Sequence, residues 1–116
     1  MKTLVDSSVW IGHFKKADSK LISLLEADEV FLHPFIIQEL YLGKPKGKDF
    51  VFERLAKLPC LSILSEDEFR HFVDGFKISG KGIGVIDCHL LGVAYQQKIA
   101  LYTLDKRLDR LAQNIL

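Results

Sequence analysis

Four acids in this 116-residue chain, Asp6, Glu39, Asp87 and Asp105, are of the type and placement that phosphate chemistry needs. Three of them have apolar neighbours. Asp6 follows Leu4-Val5, Glu39 lies within Phe35-Ile36-Ile37-Gln38-Glu39-Leu40, and Asp87 sits in Ile83-Gly84-Val85-Ile86-Asp87-Cys88. Such flanks predict partly buried carboxylates, and several of these side by side repel one another and lose charge. A divalent cation removes that conflict, and carboxylate oxygens completed by water are the ligands that Mg²⁺ or Mn²⁺ takes. A hard cation can polarise a phosphate, activate water and stabilise a leaving oxygen, which is what phosphodiester hydrolysis requires. Taken singly, each acid has a plainer reading. Asp105 can cap a helix, Asp87 can favour a helix dipole, Asp6 can sit in a turn, and Glu39 can be a solvated helix residue. Only a shared location makes them a site.

The elements that would position them alternate along the chain. Short apolar runs at residues 3–5, 30–33, 61–64 and 99–103 read as strands, with residues 114–116 as a fragment of a fifth. Helical patterns lie between them. They run from Ser8 to Phe14 with Ser7 or Ser8 as cap, from Ser19 to Glu26, and from Pro34 to Leu42 with proline in the first turn. Others run from Asp49 to Lys57, from a Ser65/Glu68 capping box to about Ile78, from Val85 to Gln97, and from Asp105 to Gln113. Strands separated by helices imply an α/β fold with a parallel sheet and right-handed crossovers. Function in such sheets collects at the carboxyl ends of the strands.

Asp6 and Asp105 directly follow the first and fourth expected strands. Glu39 is within two turns of the start of the helix after the second. Asp87 is in the first turn of the helix before the fourth. That helix descends about 19 Å, and the following strand climbs back about 15 Å. All four acids are therefore expected at one edge of the sheet.

Composition sets the outer bounds. The chain is 48% hydrophobic and 27% charged, which is ordinary globular composition for a single domain spanning residues 1–116. No apolar run is long enough to span a bilayer, and Asp6 interrupts the N-terminus too early for a signal peptide. Cys60 and Cys88 have no CxxC partner. They are expected to pack as small apolar side chains in a reducing cytoplasm. The net charge is +1. If four of the 15 acids neutralise cations in a pocket, 16 basic residues face 11 acids elsewhere, a modestly basic rim suited to nucleic acid.

At these residues the chain resembles the PIN-domain ribonucleases, and among them the VapC-type toxins of prokaryotic toxin–antitoxin pairs. The resemblance rests on Leu4-Val5-Asp6-Ser7-Ser8-Val9-Trp10-Ile11, Ile37-Gln38-Glu39-Leu40, Gly84-Val85-Ile86-Asp87-Cys88-His89-Leu90-Leu91-Gly92-Val93-Ala94 and Leu101-Tyr102-Thr103-Leu104-Asp105. It implies a three-layer α/β/α sandwich whose central parallel sheet has four to five strands in the order 3-2-1-4-5. It also implies Mg²⁺- or Mn²⁺-dependent endonucleolytic cleavage of RNA. By position, Asp6, Glu39, Asp87 and Asp105 match the family's acidic quartet, and Ser8 matches a small polar residue that orients metal or phosphate. The family habit is a homodimer held inactive by a cognate VapB-type antitoxin. The fifth strand is expected to be short or missing.

Further residues carry weaker expectations. Lys106 and Arg107 lie just past the site and are candidates for phosphate contact at the rim, as is Arg110. Lys44, Lys46 and Lys48 read equally as a basic loop or a solvated one, and Asp109 as an outer acid or a solvated one. The four histidines show no zinc spacing and read as packing or surface residues. Trp10 and Phe14 read as core or dimer contacts before base-stacking groups. Two other classes compete. One is a PIN-like module that binds RNA or protein without cutting. The other is a haloacid-dehalogenase-type phosphotransferase, which favours an acid where this chain has Ser8.

Overall fold

The computed structural model describes residues 1–43 and 45–116. Lys44 of the basic loop lies outside the described residues. The chain begins with β1 (Thr3–Val5), whose three residues are all buried. Neighbouring side chains on a strand point to opposite faces, so burial of all three means that both faces of the sheet are covered. The chain turns at Asp6 into α1 (Ser7–Lys15) and continues through α2 (Ser19–Glu26) to β2 (Val30–Phe31). Next come α3 (Pro34–Leu42), α4 (Lys48–Leu55), α5 (Glu66–Gly75), α6 (Val85–Gln97), β3 (Ala100–Tyr102) and α7 (Lys106–Ile115).

β1 is the central strand. It pairs in parallel with β2 through Thr3↔Val30 and Leu4↔Phe31, and with β3 through Thr3↔Ala100, Leu4↔Leu101 and Val5↔Tyr102. The carboxyl ends of β1 and β3 are thus in step, and the Asp6 N–H donates to the Tyr102 carbonyl at 2.9 Å. Around the sheet, Leu4, Leu21, Ile36, Leu40, Leu90, Leu91 and Leu108 are among the fully buried side chains of the core. Gly92 lets α6 approach closely: a Cβ there would stand 2.7 Å from Leu64 and 3.1 Å from Phe72.

The α/β class and the parallel order agree with expectation, but the sheet has three strands among the described residues, not four or five. The run 61–64 is reduced to one parallel bridge, Leu32↔Cys60. The Leu32 N–H donates to the Pro59 carbonyl, and the Leu61 N–H donates to the Leu32 carbonyl, both at 2.8 Å. The ladder stops because Pro34 turns the chain into α3 two residues after Leu32, leaving nothing further to pair with. At the other edge, residues 114 and 115 continue α7. Leu108 and Ala112 are buried one turn apart and Leu111 and Ile115 pack beside them, so the helical period prevails over a short strand. Two smaller expectations also change. The α1 N-cap position is Asp6, not Ser7 or Ser8, because both hydroxyls turn toward carboxylates. Cys60 is exposed, since it lies on the truncated edge, whereas Cys88 is buried.

Candidate active site

The junction between β1 and α1 builds the first part of the site. Asp6 is buried at 5% exposure, yet its carboxylate is well supplied with donors. Ser8 Oγ and Thr103 Oγ1 each donate to Oδ2 at 2.8 Å, and Ser7 Oγ makes a long contact of 3.5 Å with Oδ1. Thr103, at the end of β3, also accepts the Asp105 N–H at 3.1 Å. Ser8 accepts the Leu104 N–H at 3.1 Å. The two strand ends are therefore sewn together through hydroxyls, with Asp6 Oδ2 saturated and Oδ1 left with one weak contact.

Glu39 reaches the same place from α3. Ser7 Oγ donates to its Oε1 at 3.1 Å. Burial pushes the Glu39 carboxyl above the ordinary range, the Ser7 bond opposes that rise, and the charge of Asp6 adds to it. Asp105 caps α7, with Oδ1 accepting from the N–H groups of Arg107 at 2.9 Å and Leu108 at 3.1 Å. The capping reading of Asp105 is thus correct for one oxygen, and Oδ2 is uninvolved in the cap.

Asp87 lies in the first turn of α6, behind a Gly84 N-cap that supplies no side-chain bond. Its carboxyl is pushed up to about 6 from an ordinary 3.8. Burial is the largest cause, followed by the charges of Asp6, Asp105 and Glu39. Each of the other three expected acids is thus felt at Asp87, which puts the four in one electrostatic neighbourhood. They are not drawn into a closed shell. Among the described residues, no three His, Cys, Asp or Glu side chains are gathered tightly enough to form a metal-binding group.

The donor set still fits a hard divalent cation. It consists of carboxylate oxygens, and the hydrogen bonds leave Asp6 and Asp105 with one relatively free oxygen each. One-oxygen binding completed by water suits the small Mg²⁺ ion better than Ca²⁺, which favours bidentate carboxylates. Asp6, Asp87 and Asp105 are the residues that could hold the ion, with Glu39 beside them.

The rim carries the expected cations. Lys106 and Arg107 are exposed in the first turn of α7, and Arg107 Nη1 donates at 3.3 Å to the carbonyl of Gly82, in the loop that leads into α6. Gly82 has φ +75, a conformation that side chains rarely adopt. Asp109, half-buried on α7, accepts from Gln113 Nε2 at 3.1 Å, one helical turn on. Trp10 is buried in the core.

Sequence reasoning missed Ser7 and Thr103 as site residues. The available signal was a hydroxyl residue just past the carboxyl end of each of two adjacent strands, beside acids already singled out. His33 takes the packing role among the two expected for the histidines, at 0% exposure. Its Nδ1 accepts the Phe35 N–H at 3.0 Å, capping the helix that carries Glu39.

Comparison with known proteins identifies the family and the fold. The family model described as "PIN domain" matches residues 3–114. The chain belongs to the PIN-domain family. Ribonuclease VapC32 of Mycobacterium tuberculosis is 43% identical to this PIN domain over 106 residues, covering 90% of this chain and 86% of the relative, which places the chain in the VapC group. Among solved structures, DNA-bound VapBC from Salmonella typhimurium superposes with a TM-score of 0.76 at 16% identity, covering 95% of this chain and 91% of that one. FitAcB from Neisseria gonorrhoeae superposes at 0.70 with 20% identity, covering 96% and 93%. These two show that the fold is shared. Among the described residues of this PIN domain, no helix is long and apolar enough to cross a membrane.

Proposed function

We propose that this PIN domain is a divalent-metal-dependent endoribonuclease, the cytoplasmic toxin of a type II toxin–antitoxin pair. The observation that carries the reading is Asp87, a carboxyl without a hydrogen-bond donor among the described residues that sits in the combined field of Asp6, Asp105 and Glu39. The likeness to Ribonuclease VapC32 supports RNA as the substrate. The fold shared with VapBC and FitAcB supports an antitoxin partner of the VapB type, and the homodimer is carried over from family habit.

Asp6, Asp87 and Asp105 would hold Mg²⁺ or Mn²⁺, which when bound supplies Lewis acidity to the scissile phosphate and acidity to a water molecule. The chain's own groups do the rest. Ser8 and Thr103 fix Asp6 through Oδ2, which would leave Oδ1 for the ion. Glu39, with Oε1 held by Ser7, keeps Oε2 available to take a proton from water. Lys106 and Arg107 engage the phosphates on either side of the cut. The Ser8 proton is spent on Asp6, so Ser8 serves the substrate by orienting that acid.

The test is cleavage of RNA by purified protein in Mg²⁺ or Mn²⁺. Asp6→Asn should reduce cleavage by about 10³-fold or more while the fold survives. Wild-type activity in that variant rejects the assignment. The second reading, a binding module that holds RNA or protein without cutting, is favoured by the spacing of the carboxylates. RNA binding by the wild type with no cleavage at millimolar metal would decide for it.

A further inference from the structure

Resting on that reading, we infer that Ser7 is the positioning residue for Glu39. Ser7 is the first residue of α1, buried where α1 meets α3. Its hydroxyl has one proton and two carboxylates within reach, Glu39 Oε1 at 3.1 Å and Asp6 Oδ1 at 3.5 Å. The shorter contact takes the proton, since hydrogen bonds weaken steeply at the longer distance.

The two acids differ in what remains if Ser7 is removed. Asp6 keeps strong bonds from Ser8 and Thr103. Glu39 keeps none, because the Ser7 bond is the one hydrogen bond its carboxylate receives among the described residues. Glu39 carries a long flexible side chain on a half-buried helix face, so without the hydroxyl its carboxylate is free to turn away from the site. The neighbouring serines therefore have separate duties: Ser8 serves Asp6, and Ser7 serves Glu39. The signal lies in the fold, not in the motif, because the partner is on an element 32 residues away.

Kinetics on a short RNA substrate should show Ser7→Ala lowering kcat about tenfold with KM unchanged, the worth of one hydrogen bond to a charged group. Ser7→Thr should restore most of the loss. In a Glu39→Gln background, Ser7→Ala should add little, because both changes disable the same acid. Crystal structures of both proteins should show the Glu39 carboxylate turned from its wild-type position in Ser7→Ala. If Ser7→Ala does not fold, Ser7→Cys, nearly isosteric and a weak donor, takes its place. Wild-type kcat in Ser7→Ala, a full additive loss in the Glu39→Gln background, or an unmoved Glu39 carboxylate overturns the inference. Asp6→Asn is run alongside. If it cuts RNA like wild type, the nuclease reading fails, and the crystal structures still decide the role of Ser7.

Discussion

The two sides of the acidic edge are built differently. On the β1 side, Asp6 is buried but receives 2.8 Å bonds from Ser8 and Thr103. On the α6 side, Asp87 follows a glycine loop, has no side-chain donor among the described residues, and is held at about 6 by burial and its acidic neighbours. One carboxylate is anchored by the protein through Oδ2, with Oδ1 nearly free. The other is left with its charge unanswered. An unanswered carboxylate costs stability, and the natural reason to keep one is a ligand that answers it. This difference is the basis for proposing a site where each acid singly has an ordinary structural explanation.

Replacing each acid by its amide breaks the comparison most strongly. In the metal-free protein at pH 7, Asp87→Asn should stabilise the fold by about 2 kcal/mol. That is the cost of charging a carboxyl whose pKa is raised, discounted for its partial exposure. Asp6→Asn should destabilise by about 1–3 kcal/mol, because it removes charge-assisted bonds from two hydroxyls. Chemical denaturation of the two variants checks the opposite signs. Equal signs would mean that the two sides do not differ.

Acid sharpens the same contrast. Asp87 has a folded pKa of about 6 against an ordinary 3.8, so the fold holds its proton more tightly. Its contribution to stability is complete below pH 3.8 and is lost as pH rises through 6. His33 runs the other way. Burial, with the charge of His89 second, lowers it to about 4 from an ordinary 6.5. The unfolded chain takes up that proton first, so stability present above pH 6.5 is lost as pH falls toward 4, by about 3 kcal/mol. The two trends oppose each other between pH 4 and 6. Asp87→Asn should therefore lose stability more steeply on acidification than wild type, which denaturation curves at several pH values would reveal.

Smaller effects test the stitching and the rim. Thr103→Val removes a donor to Asp6 and the acceptor for the Asp105 N–H. It should destabilise by about 1–2 kcal/mol and slow RNA cleavage about tenfold, with Thr103→Ser near wild type. Lys106→Ala and Arg107→Ala should each raise KM a few-fold, leave kcat alone, and flatten the dependence of KM on salt. Kinetics at two ionic strengths would check this.

The backbone and the shared neighbourhood of the four acids were largely legible in the sequence, because strand-end acids and the helical period are local signals. The Ser65/Glu68 capping box formed as expected, and α6 kept its expected limits. What escaped depends on contacts between distant segments. Ser7 and Thr103 looked like a cap and a strand residue, and their roles exist only because β1 and β3 end side by side. The run 61–64 carries a strand-like composition, but whether it pairs was decided by Pro34 on another segment. The apolar residues 115 and 116 could suit a strand or a helix, and the stripe begun by Leu108 decided for the helix.

Titration of Mn²⁺ into metal-free wild type, Asp6→Asn and Asp87→Asn, followed by calorimetry, tests the central claim most directly. The wild type should bind saturably at millimolar metal or below, and both variants should lose most of that affinity. Undiminished binding in Asp87→Asn, or no binding by the wild type, would contradict the claim that this acid is left open for a divalent cation.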